Sequence, residues 1–195
     1  MRALLLVFLL FCWPHPAFAY FRLNAQVQPY LVIPKTRPAQ RASSSSASAQ
    51  PGPGVQKFRL EMLTLINTER GRRKLAPLKM NALLERSAQA HAEDMLKRKY
   101  FSHESPNGGK PEDRIRATRY FDPPCPDATR GCTKRSDYGE NIAQGQKTPS
   151  DVMKEWMSSK IHRDNILKSA FRDFGLGYAG GFWVQHFGRI SMEQK

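Results

Sequence analysis

Tyr138-Gly139-Glu140-Asn141-Ile142-Ala143-Gln144-Gly145 opens the stretch that decides the fold, and His162-Arg163-Asp164-Asn165-Ile166-Leu167 closes it. Between them lies a helical segment with a strong start: Thr148 at the N-cap, Pro149 at the first helical position and Asp151 two residues on. Val152 and Trp156 then fall on one face, four residues apart, and point to the core. One acid, Glu140, sits between two glycines, which allow close backbone approach and positive φ. One histidine, His162, follows the amphipathic helix. Neither is a nucleotide or zinc signature. Together they read as two walls of one polar pocket, with His103 of Phe101-Ser102-His103 expected as the third.

Working outward, four segments keep a characteristic order: Ser102-His103; Gly139-Glu140-Asn141-Ile142-Ala143; Trp156-Met157-Ser158-Ser159 with His162 to Leu167; and Phe182-Trp183-Val184-Gln185-His186-Phe187-Gly188. In order and spacing they resemble the CAP superfamily (cysteine-rich secretory proteins, antigen 5 and pathogenesis-related 1 proteins), in its bacterial, short-loop branch. The resemblance covers roughly residues 57–190. It implies an α+β fold, a three-layer α-β-α sandwich around a largely antiparallel sheet. It also implies that His103 and Glu140 are pocket residues facing His162. In many eukaryotic members an acid after the Trp-x-Ser completes a four-residue His/Glu pocket; here that position is Ser159. The fold does not carry a function with it, because one scaffold hosts many activities.

The 195 residues suit one domain with appendages, and 40% hydrophobic content is enough for a core. The net charge is +14; residues 57–195 alone hold 26 bases against 17 acids, so the globular part is basic in its own right. Cell-wall polymers and acidic lipid head groups are the anionic partners this suits, against the alternative of a solvated basic face. No nucleic-acid partner is expected, and the chain is expected to be a monomer.

Residues 1–19 read as a signal peptide: Arg2, an apolar run from Ala3 to Trp13 too short to span a bilayer, and Ala17-Phe18-Ala19 before Tyr20. Cys12 raises a lipoprotein alternative, but Leu9, Leu10 and Phe11 lack the small residues such a site requires. The expected location is therefore secreted, extracellular or periplasmic. Residues 20–56, rich in Pro, Ser and Gln, read as a disordered linker, with the CAP domain at 57–195. If Cys12 leaves with the signal, Cys125 and Cys132 remain, and an oxidising compartment favours a disulfide between them.

Helical periodicity predicts a first helix over 55–73, with Phe58, Met62, Leu65 and Ile66 inward and Arg70, Arg72, Arg73 and Lys74 at its end, where cations suit the dipole. Asn81 caps a second helix to about Lys99 whose Leu84, Ala88, His91 and Met95 share a face. His91 is either a core histidine or a partner behind the pocket. A short helix starts at Pro111. Strands are predicted over 174–178 and 182–187 about an Ala179-Gly180-Gly181 turn, with His186 exposed or at a sheet edge and residues 191–195 a tail.

The candidate site is thus His103, Glu140 and His162, with His91, Ser159 and Asn165 as weaker supporting residues. Two imidazoles and a carboxylate could hold zinc or another divalent cation, or act as acid and base in hydrolysis. No nucleophile motif accompanies them: there is no Gly-x-Ser-x-Gly, and no free exported cysteine paired to a histidine. Three functions follow in order. The first is an exported non-enzymatic binding module for a lipid, wall polymer or protein. The second is a metal-dependent hydrolase of peptide or envelope substrate. The third is a structural scaffold.

Overall fold

A computed structural model describes residues 53–126 and 131–194. The signal-peptide assignment and most of the linker assignment lie outside the described residues. The elements run α1 (Pro53–Gly71), β1 (Lys79–Met80), α2 (Ala82–Arg98), α3 (Pro111–Ala117), β2 (Cys132–Gln144), α4 (Pro149–Ser158), α5 (Lys160–Leu167), β3 (Asp173–Ala179) and β4 (Phe182–Gln194). Residues 53–56, expected in the linker, form the first turn of α1. The capping expectations hold: Asn81 accepts from the amides of Leu83 and Leu84, and Thr148 accepts from that of Asp151.

The sheet has the order β1-β3-β4-β2, parallel only between β1 and β3. Helices cover both faces. On one, Met62 and Ile66 of α1, Val152 and Trp156 of α4 and Ile166 of α5 pack on Phe174, Leu176, Trp183 and Phe187. On the other, Ala88, Ala92 and Met95 of α2 pack on Ile142, Phe182 and Val184. Here α2 lies against β3 itself. A Cβ on Gly175 would stand 2.3 Å from the Glu85 amide nitrogen, and one on Gly177 would stand 2.3 Å from the Ala88 carbonyl carbon.

The open edges are covered by side chains, which answers the aggregation hazard of an unpaired strand. Beyond the two-residue β1, Arg59 donates to the Leu176 carbonyl, and the Gln89 amide both donates to and accepts from the backbone of Tyr178. On β2, the carbonyls of Glu140 and Ile142 accept from Asn165 and Trp156.

Two expectations are corrected. Strand β4 does not end at residue 187: it runs to Gln194, because β2 begins at Cys132 and offers a partner for each residue. That start is stapled by the Cys125–Cys132 disulfide. And β4 is an inner strand, flanked by β3 and β2 with helices on both faces, so His186 is fully buried rather than exposed or at an edge.

Candidate functional site

Glu140 lies on β2 with its side chain toward the α2–α3 layer, and the antiparallel register sets His186 of β4 directly opposite it. Its carboxylate is completely buried and both oxygens are occupied. Oε1 is 2.6 Å from His103 Nδ1. Oε2 is 2.7 Å from His186 Nε2 and 2.8 Å from Arg114 Nη2. Because a carboxylate only accepts, each of these nitrogens carries its proton toward Glu140.

His103 reaches this position through the exit of α2. Lys99 adopts a left-handed C-cap with φ 56° and turns the chain. His91, on the buried face of α2, then bonds the Ser102 carbonyl at 3.0 Å, one residue before His103. A core histidine and a support behind the pocket are therefore one and the same here. Arg114 fixes the next stretch: it donates to the carbonyls of His103 at 2.8 Å and Gly109 at 3.0 Å as well as to Glu140.

His162 comes from α5, in the opposite helical layer. Its carbonyl accepts from Asn141, and Asn165 one turn later bonds the Glu140 carbonyl and the Asn141 side chain, so α5 is tied to β2 by buried amides. His162 is only 3% exposed and close enough to His103 to feel its charge, yet neither ring nitrogen has a hydrogen-bond partner. The expected trio is therefore split: His103 and Glu140 are bonded, and His162 stands beside His103 without a bond to Glu140. Of the weaker residues, His91 and Asn165 brace the site, while Ser159, half-exposed between α4 and α5, makes no side-chain capping bond.

Sequence reasoning missed Arg114 and His186. A signal for His186 was present: four of the six residues from Phe182 to Phe187 are large and apolar and they fall on both faces of the strand, the mark of a strand buried on both sides. Arg114 gave no local signal, because its partner is 26 residues away.

Burial by itself would raise the Glu140 pKa, but the Arg114 charge and the bonds from His103 and His186 hold it well below the carboxylate range. Burial pushes His162 down to about 4, with the charge of His103 adding to the effect, and burial likewise takes His91 to about 4. Both are neutral when folded at pH 5–7, whereas the unfolded chain takes up their protons near 6.5. A depressed histidine binds fewer protons in the native state, so stability is highest above pH 6.5 and falls as pH drops toward 4. The expected loss is on the order of 2–3 kcal/mol for each ring. Urea midpoints between pH 8 and 4 should show the decline, and His162→Gln should make it shallower. A midpoint that stays flat between pH 7 and 5 rules this out.

The donor set does not fit a divalent metal. The nitrogens that face Glu140 present protons rather than lone pairs, and a guanidinium already neutralises the carboxylate. Among the described residues no group of three or more His, Cys, Asp or Glu is placed to hold a metal ion. A carboxylate saturated by three donors is equally ill-placed to accept a proton from a substrate. His162 is a neutral imidazole with one donor and one acceptor nitrogen, neither of them hydrogen-bonded within the described residues.

A model of the cysteine-rich secretory protein family, CAP, matches residues 63–187. The uncharacterized protein YkwD of Bacillus subtilis is 36% identical over 152 residues, 77% of this chain and 54% of that protein. The uncharacterized membrane protein YlbC of the same organism is 28% identical over 127 residues, 65% of this chain and 33% of that one. The chain thus spans about half the length of the first and a third of the second. An extracellular protein containing an SCP domain, from Bacillus anthracis, superposes with a TM-score of 0.59 at 28% identity, over 69% of this chain and 41% of that one. An outer surface protein of Borrelia burgdorferi gives 0.52 at 20% identity, over 68% and 92%, a likeness of fold alone.

Proposed function

The chain belongs to the cysteine-rich secretory protein (CAP) family, and on that footing we propose that it is an exported, non-enzymatic binding module that recognises an extracellular ligand through His162 beside His103. One contrast carries the reading. The acid of the site is consumed internally by three donors, while the neighbouring histidine is enclosed with both ring nitrogens uncommitted. Export is supported by the signal-like residues 1–19, by the Cys125–Cys132 disulfide and by the extracellular relative from Bacillus anthracis. Among the described residues no helix is long and apolar enough to cross a membrane.

A neutral imidazole pairs best with a group that both donates and accepts, such as a hydroxyl or an amide. Wall glycans and their peptides carry both, and the basic surface suits the anionic polymers attached to them. The test is cosedimentation of the full chain with isolated bacterial sacculi and, separately, with phosphatidylglycerol vesicles. Retention by sacculi should weaken at least tenfold in His162→Ala at unchanged circular dichroism. Retention unaltered in that variant, or binding to vesicles alone, overturns the wall-ligand reading. Release of soluble wall fragments by the wild type, lost in His103→Ala, would establish an enzyme instead.

A further inference from the structure

Glu140 is surrounded as an anion is, not as a metal ligand is. A divalent cation needs lone pairs converging on one point. Here the convergence has the opposite polarity: His103 Nδ1, His186 Nε2 and Arg114 Nη2 all aim protons at the carboxylate. We propose that Arg114 is the resident cation of this site: its guanidinium takes the place beside Glu140 that a divalent metal would need, closing the wild-type site to such ions, and its removal opens the site.

The guanidinium is held where a mobile ion would otherwise sit. Nη2 bridges Glu140 Oε2 and the His103 carbonyl, and Nη1 bonds the Gly109 carbonyl. The helix that presents it is short but anchored. Pro111 stands at its start, the Lys110 amide donates to Asp113, and Ile115, next to Arg114, is completely buried. Arg114 thus supplies both services that a metal supplies elsewhere. It neutralises the buried carboxylate, and it pins the loop that carries His103.

Charge decides between the two cations. Glu140 and Arg114 balance within the cluster. Adding a divalent ion to that pair would leave two uncompensated positive charges in a buried site, which the low-dielectric surroundings strongly oppose. Without the guanidinium, a carboxylate and two imidazoles remain. With each ring's proton carried on its other nitrogen, His103 Nδ1 and His186 Nε2 turn lone pairs toward the site, and with Glu140 they make a fair set of ligands for zinc with an open position. The inference is independent of what the pocket binds, because it concerns the carboxylate behind the pocket and not His162.

The experiment is calorimetric titration of the full chain with zinc, beside thermal melts with zinc or EDTA, for wild type, Arg114→Met and Arg114→Lys. The wild type should bind no stoichiometric zinc, and neither additive should move its Tm. Arg114→Met should acquire one site, at least tenfold tighter than any wild-type uptake. Arg114→Lys, which keeps the charge, should stay silent. One equivalent of zinc bound by the wild type at micromolar affinity and lost in His103→Ala overturns the proposal, and so does a folded Arg114→Met that gains no zinc. If Arg114→Met does not fold, the wild-type and Arg114→Lys titrations decide: zinc bound by either at that affinity, with the same dependence on His103, overturns it.

Discussion

Replacing Glu140 with alanine is expected to cost about 3–5 kcal/mol of folding stability, the loss typical of a buried ion pair deprived of one member. The carboxylate accepts from residues on three separate parts of the chain: the α2–α3 loop, α3 and β4. Its removal leaves the Arg114 charge without a counter-ion at a largely buried position, and leaves His103 and His186 without their acceptor. Removing that orphaned charge should help, so Arg114→Met added to Glu140→Ala should recover at least ~1 kcal/mol of the loss. Urea denaturation at pH 7 measures both. A single variant within about 1 kcal/mol of wild type sinks the account of Glu140 as the pillar of this cluster. Acid should act on the same residue. Its folded pKa is depressed, so its contribution is present above the unfolded value of about 4.5 and is lost as pH falls below it toward the folded pKa.

This sharpens the division between support and recognition. Three residues looked alike in the sequence: two histidines and an acid in motifs far apart along the chain. In the fold they take different roles. Glu140 holds the architecture, His103 is oriented by it, and His162 faces them from another layer with its ring uncommitted. On the proposed reading, a structural scaffold and a binding module are not rival accounts of one site, since different residues carry each.

What was legible in the sequence was local or repeated. Asn81 and Thr148 announced their helices because a cap bonds amides two or three residues away. Ala179-Gly180-Gly181 announced its hairpin because Gly180 and Gly181 take φ of 51° and 90°, which glycine adopts without strain. The layered fold was legible through four motifs in order. Much of the rest depended on register and packing. His186 meets Glu140 across 46 residues, and only the pairing of β2 with β4 brings them together. The length of β4 follows from its partner, not from its own composition. Asn141 and Gln185 stood in the recognised motifs without an evident job, and Asn165 only as a weak support of the site. They prove to be one buried amide network that fixes α5 to the sheet, so part of what marks the family is packing and not chemistry.

Arg70→Met is the other substitution expected to cost about 3–5 kcal/mol, the sum of several buried carbonyls left unsatisfied, and the basic run that ends α1 conceals the reason. Arg72 and Arg73 are exposed at the end of α1, as cations suited to its dipole, and both pair with Glu69. Arg70 is completely buried. Its guanidinium donates to the carbonyls of Ala76 at 2.9 Å, Ile166 at 2.8 Å, Lys168 at 3.0 Å and Phe171 at 3.4 Å. Two of these close the C-terminus of α5, a helix whose last turn contains no basic residue of its own. The last carbonyls of any helix lack partners within it. Here α1 supplies them from 96 residues away. Methionine would fill the volume and leave several buried acceptors unsatisfied, each worth about 1–3 kcal/mol before water relieves some of them. Arg70→Lys should be nearly as damaging, because one ammonium cannot reproduce the planar fork. The cost should also appear at the pocket, since α5 carries His162 and Asn165. Amide exchange in residues 160–167 should therefore rise more than in α2 under native conditions. A variant as stable as wild type, or exchange rising equally in both helices, contradicts this role for Arg70.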